Sequence, residues 1–409
     1  MPRTIESPLT PAEACSRIMS LAEPEAPIEV SLIDGLGLVL AEDAIADVDL
    51  PPFDRSTTEG YAVRAAEARP GALLRIAGLR WSSHSSEETL ETGEAIRVFA
   101  GDPLPVGADA ILPIDEVRPD PETGPTRVIE ILQGVETGRD VVRRGHLLEA
   151  GDVLATAGTQ LRTSMVPLLA SQGCVHPVCR RRVRVAVVAV GDHLVGPTEA
   201  PVMHRERNVV NAAIVSLVLQ AGAMPHDLQA VPESDFPRAL ERATSAPVII
   251  VLGPSSRSTS RAFKAQGAET VISGLALHPG GRSRYSVIRD EVGRVAHHIF
   301  HLPMAPLAAS TVFAMLVHPL IARLQGSPSA GPRTVPAVWD GTRRSVGDKL
   351  RAIPVTLEID ADARHRARPI PLRGLDDLAG LAMAEGLALL PANSGPWLGG
   401  EIVEVYRFS

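Results

Sequence analysis

The period of the hydrophobic positions changes along the chain. Between positions 9 and 22 they fall at helical spacing, Ala14, Ile18, Leu21 and Ala22, behind a capping box with Thr10, Pro11 and Glu13, which predicts a short helix. After Pro27 the pattern turns extended. From 51 to about 138 it consists of short β-like runs such as 95–99 and 127–132, divided by Gly and Pro, which predicts a mostly-β insertion. At Val183 the run VRVAVVAV reads as a strand buried on both faces and ending at Gly191 and Asp192. Asn208 then caps a segment in which Val209, Val210, Ala213, Ile214, Leu217, Val218 and Ala221 share a face, with Gly222 at its stop. Strands near 228–231 and 248–252 flank a helix near 236–244, an alternation that predicts a doubly wound α/β layer. A stretch rich in Gly, Pro and Ser at 324–336 precedes a β-rich end with strands at 353–359 and 401–406.

Composition narrows the function. The 409 residues suggest two to four domains, and 45% hydrophobic with only 3% aromatic residues means aliphatic cores and no platform for stacking exposed bases. A net charge of -8 disfavours a nucleic-acid partner, which needs clustered basic side chains. The cluster Arg180 to Arg182 with Arg184 reads as a solvated strand entry, and only Lys264 and Lys349 are candidates for a catalytic lysine. Three cysteines, Cys15, Cys174 and Cys179, fit a reducing compartment. With no signal-peptide core near the start and no apolar run approaching about 18 residues, a cytoplasmic protein without a membrane partner is expected.

Three segments carry the chemistry: PPFDRSTTEGYAV (51–63), VFAGDPLPVGADAILP (98–113) and VRRGHLLEAGDVLATAGTQL (142–161). Together they resemble the molybdopterin molybdenumtransferase family, which includes the gephyrin E domain. The resemblance runs nearly end to end. It implies a MogA-like α/β domain, a mostly-β insertion and a C-terminal β-barrel-like domain. The expected boundaries are 1–26 for a helix packing on the α/β domain, 27–50 with 139–180 for a linking β-rich domain, 51–138 for the insertion, 181–326 for the α/β domain and 327–409 for the β domain. It also implies insertion of molybdate into adenylylated molybdopterin with release of AMP, dependence on Mg²⁺, a homodimer, and exchange with other molybdenum cofactor proteins.

In open α/β sheets ligands gather at the carboxyl ends of strands, where helix N-termini offer an anion site. Gly191-Asp192-His193-Leu194 resembles the family's T-G-D-E-L turn, with Val190 and His193 replacing threonine and glutamate. The loop Gly253-Pro254-Ser255-Ser256-Arg257-Ser258-Thr259-Ser260-Arg261 stands where the family ends with a glutamate and an aspartate, positions taken here by Thr259 and Arg261. Its hydroxyls and guanidiniums suit an oxyanion rather than a divalent cation. The family's K-P-G-K-P turn appears as His278-Pro279-Gly280-Gly281-Arg282, and its G-L-P-G-N-P-V-S loop as His301-Leu302-Pro303-Met304-Ala305-Pro306-Leu307-Ala308. Leu147 stands in place of an acid. The resemblance thus implies Asp192, Glu59 and Asp54 as catalytic acids, with Asp192 and Glu59 as metal ligands. Gly191, Gly253, Ser255, Ser256, Arg257, Ser258, Arg261, His278, Gly280, Arg282 and Pro303 are implied as the binding set. The same substitutions leave open a paralogue that carries the cofactor without turnover, or an interaction scaffold. Cys174-Val175-His176-Pro177-Val178-Cys179 and the trio His297, His298 and His301 lack ligand spacing on one face, and ligand sets there are the weaker reading.

Overall fold

Thr10 starts the first helix by hydrogen bonding in both directions. Its hydroxyl accepts the Glu13 N–H at 3.2 Å, and the Glu13 carboxylate accepts the Thr10 N–H at 2.8 Å, which fixes the entry of Pro11–Met19. Ala14 and Ile18 on that helix are fully buried. The computed structural model describes residues 8–79, 89–119, 128–328, 332–343 and 345–408. Positions 1–7, Arg127 and 329–331, on which parts of the sequence expectations rest, lie outside the described residues. Two compact units divide the chain, one formed by 1–42, 158–162 and 178–409, the other by 43–157 and 163–177.

The larger unit is built on a six-stranded sheet in the order Met224–Val231, Arg184–Val190, Val248–Leu252, Val295–Leu302, Arg284–Arg289, Glu269–Ile272. The first four strands are parallel and the last two pair antiparallel. Its alternate side chains feed two cores. Val185, Val187 and Ala189 pack with the helices Pro11–Met19 and Val209–Gln220, whereas Ala186, Val188 and Val190 pack with Phe236, Leu240 and Ala262 of the helices Phe236–Ala243 and Arg257–Ala265. Burial on both faces is what the unbroken β-branched run requires. Asn208 caps its helix by accepting the Asn211 N–H, and Gly222 takes φ +72° just past the C-cap, as expected of a helix stop. Val209, expected on the buried face, is 38% exposed, and Asn211 is buried in its stead.

One expectation fails on membrane length. Pro306–Leu324 forms 19 residues of helix apolar enough to cross a bilayer by length and composition. It is nevertheless 89% buried in the unit, with Leu307, Val312, Phe313, Val317, Leu320 and Ile321 in the main core, so it is a core helix. A helix enclosed on all sides needs no polar face.

Residues 334–407 of the same unit, joined by Leu277–His278, form a second sheet in the order Leu277–His278, Leu350–Ile359, His365–Pro369, Thr334–Trp339, Ile402–Arg407 and Gly386–Leu390. Leu350–Ile359 pairs with both its neighbour and Gly386–Leu390, which closes five of these strands into a barrel around Trp339, Val355, Ala388 and Val405. The smaller unit holds a third six-stranded sheet, Ala110–Pro113, Gly60–Val63, Glu94–Val98, Leu73–Leu79, Val128–Ile131 and Val117–Pro119.

Candidate functional site

Parallel strands deliver their following loops to one edge, and three expected segments meet there. Gly191 donates to the Val231 carbonyl at 3.0 Å, and Gly253 donates to the Leu302 carbonyl at 3.1 Å. His301 Nε2 hydrogen bonds the Gly253 carbonyl at 3.1 Å; burial holds this imidazole below its ordinary pKa, so it is neutral and donates through Nε2. Gly191, Gly253 and Pro303 thus border a common edge. Asp192 is exposed there, with Oδ1 accepting the Glu233 N–H at 3.0 Å.

The loop after Leu252 turns into the helix Arg257–Ala265. Ser256 is its N-cap, accepting the Thr259 N–H at 3.1 Å, and Thr259 is 1% exposed with its hydroxyl donating to the Ser256 carbonyl at 3.0 Å. Those two hydroxyls are committed to the cap. Ser255, Arg257 and Arg261 stay exposed, and the two guanidiniums have no ion pair among the described residues.

A cavity of about 700 Å³ opens beside this edge, lined by Leu194, the N-terminal turn at Val209 and Val210, Met304 to Pro306, and Leu375 to Leu378. Met304 lines the space without filling it. Arg205, Glu206 and Arg207 supply most of its charge, and these were not expected from the sequence, although two arginines just before a capped helix were a visible signal. The expected binding set adjoins this cavity through its neighbours and does not itself line it.

A second group collects around His278. Strand Leu277–His278 runs parallel to Leu350–Ile359 with His278 opposite Arg351. Partial burial, then the charges of Arg351, Lys349 and Arg343, hold the imidazole below its usual range. Arg343 is also depressed, by burial and then by Arg351, and its Nε is buried without a hydrogen-bond partner. Gly280 takes φ +112° where a Cβ would lie 2.6 Å from Val312 Cγ2, so no other residue fits this turn against the core helix. Arg282 is exposed. Uncompensated cations pushed together in this way suit an oxyanion. Lys349 was one of two candidate lysines, whereas Arg343 and Arg351 gave no signal, because it is the long-range pairing of Leu277–His278 with Leu350–Ile359 that sets Arg351 opposite His278.

In the smaller unit the three signature segments meet. Gly145 donates to the Pro51 carbonyl, Leu104 to the Asp54 carbonyl, and Ser56 to the Asp102 carbonyl. Asp54 Oδ2 accepts Arg143 Nη1 at 2.5 Å and Oδ1 accepts the Arg144 N–H at 2.8 Å. Burial alone would raise this carboxyl; the Arg144 N–H and the Arg143 guanidinium outweigh it and hold it below the ordinary range. Glu59 pairs with Arg97, whose guanidinium lies 5.1 Å from the Tyr61 ring centroid. Leu147 is exposed. Among the described residues no three His, Cys, Asp or Glu side chains gather as a metal site. His297, His298 and His301 bond to Ala246, Tyr285 and Gly253 respectively, which separates them.

The sequence matches the family described as MoeA N-terminal region (domain I and II) over residues 9–173. It is 27% identical to molybdopterin molybdenumtransferase 1 of Mycobacterium tuberculosis, over 96% of this chain and 97% of that protein. It is 29% identical to the molybdopterin molybdenumtransferase of Haemophilus influenzae, over 73% of this chain and 72% of that protein. The crystal structure of a molybdopterin biosynthesis MoeA protein from Pyrococcus horikoshii superposes with a TM-score of 0.86 at 25% identity, covering 98% of this chain and all of that one. With the doubly wound sheet, the closed barrel and the three converging signature segments, these likenesses make the chain MoeA-like, similar over nearly its whole length to molybdopterin molybdenumtransferases.

Proposed function

We propose that the protein acts in molybdenum cofactor biosynthesis, bringing molybdate to adenylylated molybdopterin with release of AMP. One observation carries the reading: a cavity of about 700 Å³ at the carboxyl edge of the parallel sheet, of a size suited to an organic ligand and bordered by a capped helix N-terminus and by Arg205 and Arg207 beside Glu206 and Asp376. The cations Arg343, Lys349 and Arg351 around His278 support an oxyanion subsite for molybdate as substrate. In this reading Asp192, Glu59 and Asp54 are the acids of the reaction, and Ser255, Ser258, Arg257, Arg261 and Arg282 steady phosphate groups. Asp54 and Glu59, already paired with arginines, hold the backbone of the signature segments as well.

Mg²⁺ is implied by the resemblance, but the donor set at the sheet edge does not fit it. Where carboxylates would gather, the loop offers Thr259 committed to a cap and Arg261, leaving Asp192 alone. A homodimer and a cytoplasmic setting belong to the same proposal on the strength of the resemblance.

Purified protein given adenylylated molybdopterin and molybdate should release AMP above the uncatalysed background, with a working family member as control. Background AMP together with no uptake of the pterin would overturn the proposal.

A further inference from the structure

A second cavity, of about 510 Å³, opens in the larger unit. The 12-residue helix Val209–Gln220 begins at the first cavity and ends at this one, so about 18 Å of helix separates them. Its walls carry Arg162, Arg180 and Arg333 and, among the described residues, no carboxylate. Arg180 Nη1 donates to the neutral Glu25 carbonyl at 3.0 Å, while Arg162 and Arg333 have no hydrogen bond or ion pair among the described residues. Two helices end here, and each C-terminus contributes about half a negative charge, which leaves three guanidiniums with an excess of about two positive charges. The arginines therefore do more than neutralise helix ends.

Part of the wall is polar. His318 is only 8% exposed and lines the cavity. Its Nδ1 lies 3.0 Å from the Tyr406 hydroxyl. Burial keeps that phenol protonated, its pKa pushed up to about 12, and the imidazole neutral, its pKa pushed down to about 4. The phenol must then donate to Nδ1, which places the imidazole proton on Nε2, a donor with no partner among the described residues. Gln160, Gln220 and Gln325 each give their amide N–H to a backbone carbonyl, of Gly37, Phe408 and Ala221, which leaves their amide oxygens as acceptors. Guanidiniums and an imidazole N–H answer phosphate oxygens; amide oxygens answer hydroxyls. A bare oxyanion, only a few waters in volume at about 30 Å³ each, would leave most of the space open, whereas organic ligands occupy pockets of about this size.

We propose that this cavity binds a small hydroxylated organic phosphate of the sugar phosphate or mononucleotide class. The test is titration calorimetry on the full chain with ribose 5-phosphate and, separately, inorganic phosphate. Ribose 5-phosphate should bind, more weakly as salt rises, and lose at least about tenfold in affinity in Arg333→Gln and in Arg162→Gln, two exposed positions, with unchanged circular dichroism expected of both variants. Arg351→Gln, in the other cationic cluster, should leave that affinity alone. No binding by the wild type at millimolar concentration, or a loss seen in Arg351→Gln and not in Arg333→Gln, would overturn the assignment. Inorganic phosphate bound as tightly as ribose 5-phosphate would overturn the organic class of ligand.

Discussion

Gly253 is pressed against Val190: a Cβ on Gly253 would stand 2.8 Å from the Val190 carbonyl oxygen, and the glycine holds φ +152°. The ends of two adjacent parallel strands thus approach more closely than any side chain allows. Gly253→Ala should cost about 1–3 kcal/mol from strain and crowding, and its thermal midpoint followed by circular dichroism should fall accordingly. A midpoint equal to wild type would show that the edge has room to relax.

Much of this edge was legible in the sequence. The capping box at Thr10 and Glu13, the cap at Asn208 and the strand from Val183 all rest on contacts between near neighbours, so local pattern fixes them. The helix Pro306–Leu324 was not, because side chains buried on every face leave no amphipathic stripe to read. The cluster at His278 was half legible. Its own turn was visible, but Arg351 reaches it through strand pairing across some seventy residues of sequence, a relationship that no local period encodes.

Two buried imidazoles give the larger unit an acid limit. His298 is 3% exposed with Nδ1 2.7 Å from the Tyr285 hydroxyl, and burial pushes its pKa down to about 4, as it does for His318. Both folded values lie below the ordinary value of 6.5, so the unfolded chain takes up these protons first. Stability is then fully present above about pH 6.5 and falls as pH drops toward 4, by on the order of 3 kcal/mol for each ring. Urea unfolding at pH 7, 5.5 and 4.5 should trace that loss, and His298→Gln should flatten the slope even if it lowers stability throughout. An unchanged slope in the variant would remove His298 as a cause.

The cluster around His278 predicts a pH response of the opposite sign for binding. With its imidazole held below the ordinary range, His278 is neutral near pH 7 and gains charge only as the solution becomes more acidic. Sulfate, as a stable stand-in for molybdate, should therefore bind more tightly at pH 5.5 than at pH 7.5, and His278→Gln should abolish the difference. Arg351→Gln should weaken binding at every pH by about tenfold, a charge-assisted bond of roughly 1.5 kcal/mol, and the loss should shrink at high salt. Because no carboxylate cluster holds a cation at the described residues, chelation with EDTA should leave sulfate affinity unchanged.

Met304 lines the larger cavity at a position where the family resemblance places glycine. Its side chain narrows the approach between the loop backbone and a guest, while each buried methylene could also contribute about 0.8 kcal/mol of apolar contact. Which effect wins depends on whether the guest meets Met304 by its polar phosphate end or by its ring. The lining sets Arg205 and Arg207 beside Glu206 and Asp376, and the two guanidiniums are the groups there that answer a phosphate end, where an aliphatic side chain gains little and costs solvation. Met304→Gly should accordingly tighten adenylylated molybdopterin by about tenfold, about 1.4 kcal/mol, measured by calorimetry. Weaker binding in the variant would mean that Met304 packs on the pterin ring, and the orientation of the guest in the cavity would have to be reversed.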